Sequence, residues 1–231
     1  MARPSTKDRE WLANNQSQLL LLERAKTFII KGNLCINHSY EGAVRDDAYT
    51  IRVELADDAT TLPKVYEKSG RLQKVLDSHP EFLDNKAELH MYPSGRICLA
   101  APQELRLDYL PNPSLELLVG GYIVPFFYTQ SYFEEFRKWP WKHLRHGASG
   151  LVEWYLENTH RKDAIAQTIK ALEESVSDNL DRSVANGYIE RGKRRESFNP
   201  RNKCLCGSGK TYQMCPGHMP LTKLALAIRY S

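Results

Sequence analysis

The segment HMYPSGRICL, residues 90–99, sets a cysteine directly after a stretch of proline, serine and glycine, which are turn-forming residues. Gly95 permits a sharp change of chain direction, and Tyr92 and Pro93 stiffen the approach to it. Cys98 is therefore either a small buried hydrophobic residue at a strand end or a nucleophile displayed just after the turn. A cysteine alone does not separate these alternatives, so the rest of the chain has to decide between them.

The residues before this segment predict one helix and three or four antiparallel strands. Apolar residues recur at helical spacing from Lys7, and we expect this helix to end near Arg24 or Ala25. Strands are expected at TFIIKGNLCIN, YTIRVEL and LPKVYEKSG, with turns at EGAVRDD and ADDATT. In the first strand we interpret Cys35 as a core residue. The order predicts a short meander, which a polar connection joins to the cysteine segment.

The residues after Cys98 predict helices. A loop with three prolines leads to an apolar segment that follows Ser114, a residue favoured at helix N-caps, and Pro125 is expected to break or kink this helix. The aromatic cluster that ends at Trp139 and Trp141 predicts packing on the sheet, and an exposed partner surface is the alternative. Two amphipathic helices are expected at 148–158 and 161–177, and a basic linker is expected at 181–203.

Composition limits the class of protein. The chain has 231 residues, enough for one main core and a small appended module. Four Trp and twelve Tyr favour a folded chain over a disordered one. The net charge of +4 is small and the positive residues gather in RGKRRESFNPRNK, so nucleic-acid binding is not favoured. No apolar run reaches membrane-spanning length and the start lacks the apolar stretch of a secretory signal, so we expect a cytoplasmic protein.

The order of helix, meander, proline-rich passage, cysteine and helices resembles the ubiquitin-conjugating enzyme family. YTIRVEL followed by LPKVY is similar to the family's strand pair, and YPSGRICL is similar to its segment ending in Gly, two residues, Cys and Leu. The resemblance implies an α+β ubiquitin-conjugating-like fold over residues 1–158, with an N-terminal helix, a meander sheet, C-terminal helices and Cys98 as the catalytic cysteine. The family's His-Pro-Asn triplet is absent, since Glu88, Leu89 and His90 stand in its place. In this departure the chain resembles divergent conjugating-like proteins encoded beside cyclic-nucleotide synthetases in bacterial antiphage (CBASS-type) operons.

The chemistry of a thioester carrier explains why these residue types are needed. The cysteine must reach the thiolate state and stay accessible. Attack of an amine on the thioester develops negative charge on the carbonyl oxygen, which the family's Asn stabilises and which a ring N–H of His90 could stabilise here. His90 could also act as a general base or hold Cys98 as a thiolate. Asp108, in the following loop, is a candidate for orienting the incoming amine. The alternative for both Cys98 and His90 is an ordinary structural role.

A second motif, CLCGSGKTYQMCPGH, lies near the C-terminus. Its GSGKT does not form a phosphate-binding loop, because Cys204 stands where the pattern requires the first glycine and no strand is expected before it. The motif resembles the SEC-C zinc-binding motif, which implies a zinc module over residues 196–231 with Cys204, Cys206 and Cys215 as ligands. Position 216 is proline, so the nearest fourth donor is His218. Four protein ligands would make the zinc structural. The intervening residues 159–195 are assigned as a helical and basic linker.

Two classes of function follow from these motifs. In the first, the protein is a conjugating-like transferase that carries the C-terminus of a protein as a thioester on Cys98 and transfers it to an amine or holds it. An activating enzyme would act in trans, and the resemblance implies a nucleotide cyclase or a ubiquitin-like protein as the cargo. In the second, the chain is a noncatalytic adaptor that binds a partner through its zinc module. The retained cysteine favours the first class, and the missing His-Pro-Asn triplet favours the second.

Overall fold

The structure is a computed structural model of the whole chain. It describes residues 3–40, 43–58, 60–78, 89–92, 94–141, 144–145, 147–177, 182–193, 200–204, 209–215 and 218–230. The chain forms two compact units, Met1–Ala100 with Glu104–His143 and Ala101–Gln103 with Leu144–Ser231. The domain boundaries predicted at residues 158 and 195 stay predictions.

The first unit contains a four-stranded antiparallel sheet of order β1-β2-β3-β4. Its elements are α1 Thr6–Asn15, β1 Leu19–Arg24, β2 Thr27–Tyr40, β3 Ala43–Ala56, β4 Lys64–Glu67 and α2 Arg71–Asp77. A short turn of helix, α3 Pro102–Glu104, begins in residues of the second unit. The first unit resumes at Glu104 and contains a π-helical turn at Leu105–Tyr109 and a second π-helical stretch, Glu116–Ile123, which continues into α4 Val124–Phe136. The α+β class and the antiparallel meander are confirmed.

One face of the sheet is buried under α4. The face follows from alternation, because successive side chains of a strand point to opposite sides. The buried residues are Phe28, Ile30, Leu34 and Ile36 in β2, Tyr49, Ile51, Val53 and Leu55 in β3, and Val65 in β4. Tyr49 meets Phe127 of α4 at 4.5 Å between ring centroids. Cys35 lies between two of the buried positions and is only partly buried, so its interpretation as a core residue was wrong.

The N-terminal helix is shorter than predicted. It begins with a capping box between Ser5 and Asp8 and ends at Asn15, whereas Leu19–Arg24 is the edge strand β1. The Gln16 side chain accepts from the backbone N–H of Cys35 and donates to its carbonyl oxygen, each at 2.9 Å. The Gln16 side chain thus pairs with the backbone of β2 just before β1 begins. Pairing with β2 therefore decides the structure of residues 19–24, where the spacing of apolar residues predicted a continued helix.

The helix after Ser114 matches the prediction at its start and differs in its winding. The Ser114 hydroxyl accepts a hydrogen bond from the Leu117 N–H at 3.1 Å, which confirms the cap. Pro125 does not break the helix. The winding changes from π-helical to α-helical at Val124, one residue before it. A proline is tolerated in the first turn of an α-helix, because its missing N–H would have no intrahelical partner there.

Two connections also differ from the sequence prediction. Part of EGAVRDD, expected to be a turn, belongs to β3, which begins at Ala43. Within the polar connection after β4, residues 71–77 form α2, whose Leu72, Val75 and Leu76 are buried. Residues 79–88, the remainder of that connection, lie outside the described part of the chain.

The second unit is helical. Its helices are α5 Gly147–Glu157, α6 Ala164–Ser177, α7 Arg182–Lys193 and α8 His218–Tyr230. The first two confirm the amphipathic helices expected there, while α7 occupies part of the predicted linker and packs against the neighbouring helices through Ala185 and Tyr188. The Tyr155 hydroxyl of α5 donates to the carbonyl oxygen of Pro220 in α8 at 3.0 Å. Every helix in the described part of the chain is too short or too polar to cross a membrane.

Candidate functional site

The segment around Cys98 forms a small hairpin on the free edge of β4. Met91 bridges Ile97 within the segment, and Arg96 bridges Tyr66 of β4. The Ile97 N–H donates to the Val65 carbonyl oxygen at 2.8 Å, and the Ile97 side chain is buried in the sheet core. The hairpin therefore continues the meander, and its last bridged residue fixes the position of the cysteine that follows.

The turn of this hairpin depends on glycine. The Gly95 N–H donates to the Tyr92 carbonyl oxygen at 2.9 Å, and the Tyr92 N–H donates to the Arg96 carbonyl oxygen at 2.8 Å. Gly95 has a φ of +78°, in the left-handed region that a residue with a Cβ adopts at a cost. Pro93 lies outside the described residues. The predicted role of Gly95 in reversing the chain is confirmed.

Cys98 follows the turn and is partly exposed as a residue, while its thiol group is withdrawn from water. Its N–H donates to the His90 carbonyl oxygen at 2.7 Å, and its sulfur lies 3.7 Å from the Ala100 carbonyl oxygen. Burial raises the pKa of the Cys98 thiol above its ordinary value, while a hydrogen bond from Tyr92 and the positive charge of Arg96 act in the opposite direction. Both sequence alternatives thus describe part of the environment: the residue follows a turn, and a low-dielectric surrounding disfavours its charged form.

His90 is joined to Cys98 through the backbone, and its ring packs among aromatic side chains. The ring stands edge-on to Phe126 at 6.2 Å and to Trp139 at 6.0 Å between centroids. Its φ of +54° is in the left-handed region, where histidine is found more often than most residues. Trp139 in turn stacks on Phe133 of α4 at 4.4 Å. The aromatic cluster packs on the sheet, as predicted, through Phe127 and Tyr49. Its last part, Trp139, packs on α4 and also contacts the ring of the candidate histidine.

Asp108 lies on the π-helical turn Leu105–Tyr109 and is exposed, between two buried residues of the same turn. Its proposed role in orienting an amine remains a prediction.

Two residues with a direct effect on Cys98 were missed as site residues by the sequence analysis. Tyr92 was treated only as a stiffening residue, and Arg96 was not considered. A signal for them exists: in a hairpin centred on Pro-Ser-Gly, pairing places residues 92 and 96 opposite each other and residue 98 two positions further on the same face. Reading the segment as a paired hairpin, rather than as a loop before a cysteine, would have found both.

Cys204, one of the candidate zinc ligands, lies at a second small hairpin. Lys203 bridges Thr211, and the Cys204 N–H donates to the Lys210 carbonyl oxygen at 2.7 Å, so the loop between them is closed. Gly209 in this loop has a φ of +72°. Cys204 and Cys215 are both buried, and neither forms a disulfide.

Only part of the predicted ligand set belongs to the described residues. Cys206 lies outside them, and at His218 only the backbone is described, as the first residue of α8. No group of three or more metal-binding side chains is found in the described ranges. Two buried reduced thiols fit zinc chemically, because thiolate is a preferred zinc ligand. The complete site stays a prediction.

Comparison with known proteins identifies no relative. No family model matches the chain, and no curated protein or solved structure is significantly similar to it. The residues and their geometry are accordingly the basis on which a function is proposed.

Proposed function

We propose that this protein is a ubiquitin-conjugating-like acyl carrier that holds the C-terminus of another protein as a thioester on Cys98. The observation that carries the proposal is the position of this cysteine. It follows a hairpin at the edge of an antiparallel meander, a helix comes before the sheet, and a longer helix packs on it afterwards. This order agrees with the family that the YTIRVEL, LPKVY and YPSGRICL segments resemble.

The first proposed step is thioester exchange. The Cys98 thiolate attacks the carbonyl carbon of an acyl group held as a thioester on an activating enzyme. A new carbon–sulfur bond forms, the old one breaks, and the activating enzyme's sulfur leaves as a thiolate. The proton of the Cys98 thiol is lost before attack, so the balance between burial, Tyr92 and Arg96 sets how much nucleophile is present.

The second proposed step is transfer to an amine. The amine nitrogen attacks the thioester carbonyl, an amide bond forms, and Cys98 leaves as a thiolate while the nitrogen gives up its proton. His90, next to Cys98 in the hairpin pairing, is the proposed donor to the carbonyl oxygen or the base for that proton. Asp108 is the proposed group that orients the amine. Where no amine is supplied, the acyl group remains on Cys98.

The C-terminal module is proposed to hold a structural zinc ion through Cys204, Cys206, Cys215 and His218. Such an ion would fix the loop against the start of α8 and leave no open coordination position for catalysis. The module would then recruit a protein partner or target. By resemblance to the CBASS-linked proteins, the proposed cargo is the C-terminus of a nucleotide cyclase or of a ubiquitin-like protein, in bacterial antiphage defence.

Intact-mass spectrometry under nonreducing conditions tests the carrier function. The protein is expressed with its genomic neighbours, and the unmodified sequence is compared with Cys98→Ser and Cys98→Ala. We expect an adduct that hydroxylamine removes from the unmodified protein, an alkali-labile adduct on Cys98→Ser and none on Cys98→Ala. Cys35→Ser is the matched control, because it removes another partly exposed thiol of the same unit and should keep the adduct.

The alternative function is a noncatalytic adaptor. It is favoured by the shielding of the Cys98 sulfur, which raises the pKa of the thiol, and by the packing of the His90 ring among aromatic side chains. Unmodified protein in all variants, together with a Cys98 thiol that reacts with alkylating reagents only after unfolding, would establish the adaptor and rule out the carrier.

A further inference from the structure

The hairpin at residues 90–98 places the side chains of Tyr92, Arg96 and Cys98 on one face. The Met91–Ile97 bridge sets the register, so Tyr92 pairs with Arg96 and residue 90 pairs with Cys98. Two backbone hydrogen bonds agree with this register, Tyr92 N–H to Arg96 O at 2.8 Å and Cys98 N–H to His90 O at 2.7 Å. Because alternate residues share a face, Cys98 is the diagonal neighbour of Tyr92, within reach of an aromatic side chain.

The side-chain contacts agree with that placement. The Arg96 guanidinium lies over the Tyr92 ring, 4.1 Å from its centroid. The Tyr92 phenol and the Cys98 thiol influence each other's pKa, while the Cys98 sulfur lies 3.7 Å from the Ala100 carbonyl oxygen. A cation held over an aromatic face is attracted to it, which favours this orientation of the ring.

We propose that Tyr92 is a catalytic residue whose hydroxyl donates a hydrogen bond to the Cys98 sulfur, and that Arg96 is a positioning residue that holds the Tyr92 ring in place. The catalytic part rests on the proposed carrier function. The proposed hydrogen bond would form in the chain without any cargo, so it can be tested separately.

The hydroxyl is suited to this role because it remains a donor. Burial and the neighbouring thiol raise the pKa of the Tyr92 phenol, so it stays protonated over the pH range in which a cysteine ionises. Burial disfavours the Cys98 thiolate, and the groups that oppose this are Tyr92 and Arg96. Without the Tyr92 hydroxyl, the positive charge of Arg96 would remain as the one of these two groups that lowers the pKa of the Cys98 thiol.

The pH dependence of Cys98 alkylation tests the proposal on the full chain. Iodoacetamide is applied over a series of pH values, and modification is read on the Cys98 peptide by mass spectrometry, so the other cysteines do not contribute. The midpoint is the pH at which Cys98 alkylation reaches half of its maximal rate. We expect Tyr92→Phe to raise this midpoint by about one pH unit, which corresponds to a tenfold smaller thiolate fraction at pH values below it. The midpoint is the measured quantity because thiolate reactivity itself changes with pKa and distorts rates at a single pH.

A second variant moves the midpoint in the opposite direction. Placing 3-fluorotyrosine at position 92 alone keeps the ring and makes the phenol a stronger donor, so the midpoint should fall. Tyr66→Phe is the matched control. It removes a phenol from the neighbouring strand β4, where Lys68 rather than Arg96 lies over the ring, and it should leave the midpoint unchanged.

Two results would overturn the proposal: a midpoint that neither position-92 variant moves, or a shift of equal size in Tyr66→Phe. Circular dichroism checks the fold of each variant, and if Tyr92→Phe does not fold, the fluorotyrosine result decides. Alkylation requires no activating enzyme or acceptor, so its outcome is separate from that of the adduct experiment. A shifted midpoint with no adduct on Cys98 would support the hydrogen bond from Tyr92. It would rule out both the carrier function and the catalytic role of Tyr92.

Discussion

Replacing Asp8 with alanine tests how α1 is attached to the helix that covers the sheet. Asp8 is 8% exposed and accepts a hydrogen bond from the Leu115 N–H at 2.6 Å, at the start of that helix. Its other oxygen accepts from the Ser5 N–H at 2.8 Å and from the Ser5 hydroxyl at 2.7 Å. One carboxylate thus closes the capping box of α1 and satisfies a buried N–H more than one hundred residues away.

The expected loss of unfolding free energy follows from these two roles. Loss of an N-terminal capping interaction costs about 1 kcal/mol. Leaving the buried Leu115 N–H without its charged acceptor costs about 2 kcal/mol more. We therefore expect Asp8→Ala to lower the free energy of unfolding by about 3 kcal/mol, a large part of the stability of an ordinary domain.

Urea titration followed by circular dichroism measures the loss, and Ser5→Ala separates the two roles. Ser5→Ala removes the cap but keeps the bond to Leu115, so we expect it to cost about 1 kcal/mol. If Asp8→Ala costs no more than Ser5→Ala, the bond to Leu115 contributes nothing and the reasoning is refuted.

The same carboxylate gives a pH dependence with a defined sign. Burial acts to raise the pKa of Asp8, but the hydrogen bonds from Leu115 and Ser5 outweigh it and hold the pKa below its ordinary value of 3.8. A lowered pKa in the folded state contributes stability above the unfolded value, and this contribution is lost as the pH falls through the folded pKa. The stability difference between the unmodified protein and Asp8→Asn should therefore shrink between about pH 7 and about pH 2.

Three further changes test other parts of the molecule. Gly32→Ala should cost more than about 2 kcal/mol of unfolding free energy, because φ is +137° and the added Cβ would lie 2.1 Å from a backbone oxygen; Gly187→Ala meets no atom within 4 Å and should be neutral or stabilising. Arg71→Met should cost about 1 to 2 kcal/mol in urea titration, since it removes two partly exposed ion pairs of 2.7 Å; a loss near zero would contradict this. Elemental analysis should find one zinc ion per chain, less in Cys204→Ser and the same in Cys35→Ser, and full zinc content in Cys204→Ser would contradict the proposed ligand.

The parts of the fold that the sequence predicted are those with strong local signals. The alternating residues of YTIRVEL and the N-cap Ser114 are read directly from residue type and spacing, and both agree with the structure. The run LLLLER carries no such signal, because four consecutive leucines fit a helix and an edge strand equally well. Its state depends on pairing with β2, which involves residues distant in sequence.

The candidate site divides in the same way. Cys98 and the glycine of its turn follow from the local pattern, whereas the burial of the sulfur depends on where the hairpin attaches to β4. The surroundings of His90 likewise depend on Phe126 and Trp139, which lie on and after α4. Sequence patterns identify which residues can react, and tertiary packing sets their pKa values and contacts.

Shielding of Cys98 acts in the same sense on both steps of the proposed chemistry. A raised thiol pKa leaves less thiolate to accept an acyl group, and it also makes Cys98 a poorer leaving group once the thioester has formed. The proposed Tyr92 hydrogen bond would act against both effects, since it would stabilise the sulfur as a thiolate whether that thiolate is attacking or departing. Because the thiol pKa remains raised despite Tyr92 and Arg96, the proposed loading and transfer would both be slow, and an acyl group once on Cys98 would be retained. A long-lived adduct that can be isolated on the unmodified cysteine is therefore the form of carrier that this geometry favours over rapid turnover.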